Sequence, residues 1–379
     1  MSQLGFESFL ENSTPYLTGK RWALATHTSA TTAQCDPVVD VLVQSSLPLI
    51  KLFSGEHGLR GDAAAGDAVP DHIDPYTELP LISLYGPRYA AEASMFADVD
   101  GLIVDFQDIG SRYYTFTATV LSLLIAAHEA RVPAYLLDRP NPIGGLVVEG
   151  NLLADRARSI VGALPIPIRH GLTLGELFQW YGNQQNWSKD FLHVIPCQGL
   201  TGSMLWHDTQ LPWVPPSPNA TGPIMALLYP GTCLIEGTNF SEGRGTAYPF
   251  EIIGAPFVDG HQFASVLNRH EHPGVRFRPI TFRPTTSKHA GQICHGVQIH
   301  VLNPYLVRSV SIGLDLINTT LRLWPEETEI NPFMAKLSGT QDLRSVLHKA
   351  EYADVLREFQ SQSNDFRLET EEYWLYPRS

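Results

Sequence analysis

The chain has 379 residues, more than one ordinary hydrophobic core accommodates, so two domains are expected. With 44% hydrophobic and 17% charged residues, the composition is that of a folded globular protein with a sparsely charged surface, and it excludes extensive disorder. The formal net charge of -13 argues against nucleic acid or an anionic membrane as partner, since both are held by clustered Lys and Arg, so an anionic substrate has to meet a local arginine pocket.

The N-terminal stretch lacks the charged start, apolar stretch and small-residue cleavage site of a secretory signal. No run approaches the ~18 apolar residues of a membrane helix. The chain as written is therefore expected in the cytoplasm, or in the periplasm if an upstream start precedes it. Over the first 150 residues short apolar runs alternate with longer amphipathic stretches, the pattern of a parallel sheet with helices packed on its faces. Strands are predicted at 22–26, 47–53, 101–106 and 132–137, and helices at 37–46, 88–97 and 115–130. Right-handed crossovers bring the strand ends that lead into these helices to one edge.

Polar clusters follow these strands directly: SGEHGLRGD, DFQDIGSRYYT and DRPNPIGG. Ligands of open α/β sheets sit beyond the carboxyl ends of the strands. Glu56, His57, Arg60, Asp105, Asp108, Arg112, Tyr113, Asp138, Arg139 and Asn141 are thus candidates for one cleft. Capping and turn formation are the competing uses of Asp108, Asp138 and Arg139, whereas Glu56, next to glycine after a buried strand, has no evident packing task. Gly55, Gly58 and Gly61 recur, but no GxGxxG or GxxxxGK[ST] appears, so no nucleotide cofactor is expected.

Beyond residue 150 an extended segment is predicted at 165–169. A helix follows from Thr173, with Glu176 completing a capping box. Another strand falls at 192–196. LPWVPPSPNA is a rigid connection, and Asn219 is expected to cap a short helix leading to Tyr229. Residues 229–256 show no helical or strand period and read as one long ordered loop. That loop gathers Glu236 and Glu242 with Asn239 and Arg244, a set suited to a polyhydroxylated ligand, although a Glu236–Arg244 pair could simply pin the loop. A first domain over 1–256 is followed by a smaller α+β domain over 257–379. In that domain, helices at 259–270, 309–324, 339–350 and 353–361 accompany two alternating strands. Cys35, Cys197, Cys233 and Cys294 form no CxxC pair, and His270, His272, His289, His295 and His300 lack the spacing of a metal motif, so they read as scattered residues and no metal is expected.

There is no GxSxG or SxxK serine motif. Glu56, Glu236 and Glu242 instead supply the carboxyls that glycoside hydrolysis uses, one donating a proton to the departing oxygen and another attacking or activating water. A non-catalytic sugar-binding protein using the same crevice is the rival reading, and a metal-dependent hydrolase a third.

Taken together and in order, SGEHGLRGD, DGLIVDFQDIGSRYYT, DRPNPIGG, PPSPN and YPGTCLIEGTNFSEGRGT resemble the exo-β-N-acetylmuramidase family, the NamZ-type glycoside hydrolases once known only as a domain of unknown function. The resemblance runs through most of the chain. It implies a Rossmann-like domain joined to a smaller C-terminal one, and release of terminal N-acetylmuramic acid from the non-reducing ends of peptidoglycan fragments. It also implies a catalytic role for Glu56, which matches the glutamate of the family's EHG motif, and for Glu236 and Glu242, with the roles undivided. Many members are exported, whereas this chain shows no signal, so recovered muropeptide sugar is the expected substrate. Arg60, Arg112 or Arg244 is expected to hold the lactyl carboxylate in a two-pronged hydrogen bond.

Overall fold

The computed structural model describes residues 2–17, 19–45, 47–340 and 352–378. Strands β1 (Trp22–Thr26), β2 (Leu49–Ser54), β3 (His72–Ile73), β4 (Pro80–Ser83), β5 (Gly101–Asp105), β6 (Ala134–Leu137) and β7 (Leu192–Ile195) form one sheet, in the order β3-β4-β2-β1-β5-β6-β7. Every neighbouring pair is parallel except β3 with β4. The expected parallel sheet is thus extended by a short mixed edge, whose strands carry too few apolar residues to show a period.

Successive residues of a strand face opposite sides of the sheet. Trp22, Leu24, Ile103 and Leu137 point to one side, where α1 (Gly5–Leu17) and α2 (Val38–Gln44) bury Phe6, Phe9, Val38, Val39 and Leu42. Ala23, Ala25, Leu102, Val104 and Leu136 point to the other, under α3 (Thr115–Glu129) and α4 (Leu174–Gln184). Thr173 and Glu176 close the expected capping box at the start of α4. The helix expected over 88–97 is reduced to a single 3-10 turn, Ala93–Phe96. Phe96 is its one buried residue, so no apolar stripe is available to hold a longer helix.

After α5 (Trp206–Thr209), the short helix expected to lead to Tyr229 is α6 (Pro223–Thr232), capped by Gly222 and not by Asn219, and it runs on to Thr232, into the segment read as one long loop. It continues as the 3-10 turn Cys233–Gly237 and ends in β8 (Ile252–Ala255), leaving 238–251 irregular. β8 pairs with β10 (Cys294–Val301), which pairs antiparallel with β9 (Val275–Phe282), so a boundary after residue 256 falls beyond the first strand of the small sheet. Around it lie α7 (Gly260–Arg269), α8 (Ser309–Leu323) and α9 (Phe333–Ser338). Gly339, with φ 69, ends α9 in the left-handed conformation. Most of the helix expected over 339–350 lies outside the described residues, and the one expected over 353–361 spans Tyr352–Thr370.

The two lobes share a core. The sheet face under α3 is continuous with Leu227 and Leu228 of α6, Phe263 of α7 and Leu314 and Ile317 of α8. α6 and α8 meet through glycines: a methyl on Gly231 would lie 1.7 Å from the Ser309 carbonyl oxygen, and one on Gly313 would lie 2.1 Å from that of Gly231. Backbone atoms on both sides leave nothing soft to yield. Gly313→Ala is therefore expected to cost about 3 kcal/mol or more, read as a lowered urea midpoint with unchanged slope. A midpoint equal to that of the parent would show that the helices can separate freely.

Candidate active site

The crevice beyond the carboxyl ends of β1 and β5 is already filled. Arg139 pairs with Asp105 through Nε and Oδ1 and through Nη2 and Oδ2 at 3.0 Å, and Nη2 also donates to the Thr31 carbonyl at 2.9 Å. The space left beside this pair is about 10 Å³, room for no more than a water. Asp138 is wholly buried and accepts from Thr173 Oγ1 at 2.7 Å, Gly175 N–H at 2.9 Å and Tyr376 Oη at 2.6 Å, fixing the start of α4 and the C-terminal tail. Asn141 donates to the Leu172 carbonyl at 2.9 Å, and Asp108 accepts from Gly110 N–H at 2.7 Å.

Several residues expected in a shared cleft therefore hold loops together instead of lining it. Arg112 spends its guanidinium on backbone carbonyls, Arg60 is tied to Asp40 at 3.0 Å and Asp74 at 2.9 Å, and Asn239 braces the turn at Glu327 and Glu329. None of Arg60, Asp105, Asp108, Arg112, Asp138, Arg139, Asn141 or Asn239 is on the wall of the main cavity. Short polar residues after a strand serve turns as readily as ligands, and spacing alone does not separate the two uses.

That cavity, of about 650 Å³, opens to one side of the sheet edge between the two lobes, a size suited to a small ligand. Its wall brings together Glu56 and His57 after β2, Tyr113 and Thr115 at the start of α3, and Glu236, Glu242 and Arg244 from the segment after α6. Tyr85, Ser217, Asn219, Phe250, Lys288 and Phe333 complete it without having been singled out by any sequence signal for ligand contact. His57 and Gly58 have φ 71 and 74, so consecutive left-handed residues form the turn that carries Glu56.

The carboxyls have different surroundings. Glu56 Oε2 accepts from Thr115 Oγ1 at 2.8 Å and Oε1 from Gly66 N–H at 3.0 Å, with no cation bonded to either oxygen among the described residues. The Tyr85 hydroxyl is pushed above its ordinary pKa by burial, and next by the nearby Glu56 charge. Elsewhere on the wall Arg244 contacts Glu236 Oε1 through Nη2 at 2.8 Å and Nε at 2.9 Å, and Glu242 Oε1 through Nε at 3.4 Å. Lys288 Nζ lies 3.1 Å from Glu242 Oε2 while donating to the carbonyls of Ile235, Glu236 and Phe240 at 3.0, 3.3 and 3.0 Å. Its donors are thus spent on the backbone, and it acts on Glu242 as a nearby charge. Burial raises the pKa of Glu236, Arg244 opposes the rise, and the Glu242 charge adds to it. The Cys233 thiol donates to Glu236 Oε2 at 3.6 Å.

The histidines read as scattered are partly gathered. His270 and His272 meet on Asp315 in the C-terminal lobe, whereas His289, His295 and His300 bond separately to Asn239, Thr281 and Arg278. None of these five lines the main cavity.

Comparison with known proteins agrees with the fold and spans both lobes. The family models described as the N-terminal and C-terminal parts of exo-beta-N-acetylmuramidase NamZ match residues 22–223 and 227–376. The chain is 38% identical over 378 residues to the peptidoglycan beta-N-acetylmuramidase NamZ of Bacillus subtilis (strain 168), covering 99% of this chain and 91% of that protein. A DUF1343 family protein from Bacteroides fragilis NCTC 9343 has a crystal structure similar at TM-score 0.92 and 31% identity over 99% of both chains. A second such protein from the same organism is similar at TM-score 0.77 and 29% identity over 100% of both chains.

The electrostatics of the paired glutamates carry a direct test. Arg244→Met removes the cation that most opposes burial at Glu236, so this carboxyl should release its proton at a higher pH than in the parent. Carbon-13 NMR of labelled glutamate side chains reads the change. An unmoved titration would mean that Arg244 does not govern the pair.

Proposed function

Because the chain belongs to the exo-β-N-acetylmuramidase NamZ family, we propose that it is an exo-acting glycoside hydrolase that releases terminal N-acetylmuramic acid from the non-reducing ends of peptidoglycan fragments. The observation that supports this reading is the meeting of Glu56 with Glu236 and Glu242 on one cavity wall, from stretches far apart in the chain. Glycosidic cleavage needs a proton for the departing oxygen and a carboxylate to attack or to activate water on the other side of the sugar.

The surroundings suggest a division of labour. Glu56 is held by neutral donors, so it can pass a proton to the leaving oxygen and regain it without breaking an ion pair. Glu236 and Glu242, bracketed by Arg244 and Lys288, keep fixed positions in the same cavity and are suited to orienting water and balancing positive charge at the anomeric carbon. For the lactyl carboxylate, Arg60 and Arg112 are committed elsewhere, and Arg244 supplies the guanidinium on the wall, with Lys288 adding only its nearby charge. Among the described residues no helix is long and apolar enough to cross a membrane.

A leaving group of low pKa needs no proton, and this separates the roles. On the disaccharide of N-acetylmuramic acid and N-acetylglucosamine, Glu56→Gln should lose on the order of 10²–10⁴-fold in turnover, and much less on 4-nitrophenyl N-acetyl-β-muramide. Equal losses on both substrates would remove Glu56 from proton donation. Saturable binding by the parent chain with no free sugar released would favour a sugar-binding protein instead.

A further inference from the structure

A second constellation lies in the C-terminal lobe, apart from the cavity described above. His270 is the C-cap of α7, Glu271 follows with φ 50, and His272 comes next. A left-handed glutamate is conformationally unfavourable, and here it turns both imidazoles toward one carboxylate. His270 Nδ1 lies 2.7 Å and His272 Nε2 2.8 Å from Asp315 Oδ2 on α8. Asp315 is 5% exposed, and among the described residues its side-chain hydrogen bonds are to these rings alone. The turn itself is braced, since Asn268 donates to the Phe277 carbonyl at 2.8 Å and accepts from its N–H at 3.0 Å.

We propose that His270, His272 and Asp315 form a binding site for a divalent transition cation of the zinc type. The three ligand atoms, two nitrogens and one oxygen, all lie within 4.8 Å of one another. Spreading them modestly around an ion bonded at ~2.0–2.2 Å needs small side-chain rotations and no new backbone path. Imidazole nitrogen selects zinc-like ions over calcium and magnesium, which prefer oxygen ligands. The His270 side chain is 32% exposed and stands on the rim of a separate cavity of about 460 Å³ between α7 and α8, which leaves a fourth position for water or an anion. When the ion enters, each ring nitrogen that now donates to Asp315 loses its hydrogen and each ring carries its hydrogen on the other nitrogen, while the carboxylate oxygen turns from the rings to the ion. The bound ion ties the end of α7 to α8.

The site is independent of the hydrolytic reading, and its test does not use activity. Full-length chain stripped with a chelator is titrated with Co²⁺. The expected result is one ion per chain, the visible d–d absorption of low-coordinate Co²⁺, its displacement by Zn²⁺, and a raised thermal midpoint. His272→Ala and Asp315→Asn should each weaken Co²⁺ binding by at least about tenfold, the loss that even an outer-shell partner can cause. If burial of Asp315 prevents its variant from folding, His270→Gln, at a partly exposed position, decides the matter with the same expected loss. Absence of the d–d bands, or unchanged affinity in His270→Gln and His272→Ala, would overturn the proposal and leave a carboxylate held by two imidazoles.

Discussion

Arg112 is a buried charge with no carboxylate partner among the described residues, and its bonds join the two lobes. Its guanidinium donates to the carbonyls of Asn151 at 2.6 Å and Ile166 at 2.9 Å on one side, and to those of Leu337 at 3.1 Å and Ser338 at 3.0 Å on the other. Burial lowers its pKa only to about 10, so the charge persists at neutral pH and those carbonyls must stay within reach. The segment following β5 is thereby tied to the end of α9. Its neighbour Tyr113 lines the cavity and donates to the Pro230 carbonyl on α6 at 3.3 Å. Where α6 crosses α8, paired glycines allow the backbones to approach more closely than any side chain would permit. The cavity thus has walls from both lobes without needing a hinge.

Within it, charge is arranged asymmetrically. Glu56 sits among hydroxyls and a backbone N–H, whereas Glu236, Glu242, Arg244 and Lys288 pack into a compact network. Carboxyls in different environments can hold different protonation states at one pH, which is the requirement for acid and base chemistry on a single bond. The usual ligand crevice of a doubly wound sheet, by contrast, is closed by Asp105 and Arg139. The chain keeps the sheet as a scaffold and forms its cavity to the side, against the second lobe.

Much of the scaffold is legible without coordinates. Apolar runs such as WALAT and GLIVD are buried on every residue and announce central parallel strands, and the capping box of Thr173 and Glu176 marks where α4 begins. Long motifs also mark Glu56, Glu236, Glu242 and Arg244 as unusual, because a glycine-rich stretch with paired charges has no helical or strand period to account for it. Elements held only by tertiary contact are less visible: the end of α6 runs past Tyr229 into a stretch that looks like a loop, and the 3-10 turn at Ala93–Phe96 falls where a helix is expected.

The sequence by itself therefore determined the central strands, the two-lobed order and the carboxyls worth testing, since these follow from local burial periods and composition. Only the tertiary structure decided which polar residues face the cavity. Asp138 and Glu56 both lie just after strands, yet one is consumed by Thr173, Gly175 and Tyr376 and the other lines the cavity. Lys288 comes from a loop of the small sheet with no motif to announce it. A side chain's partners are set by what the rest of the chain brings alongside it, and hydrogen-bond donors and acceptors distant in the chain carry no trace of that meeting in their own neighbourhood.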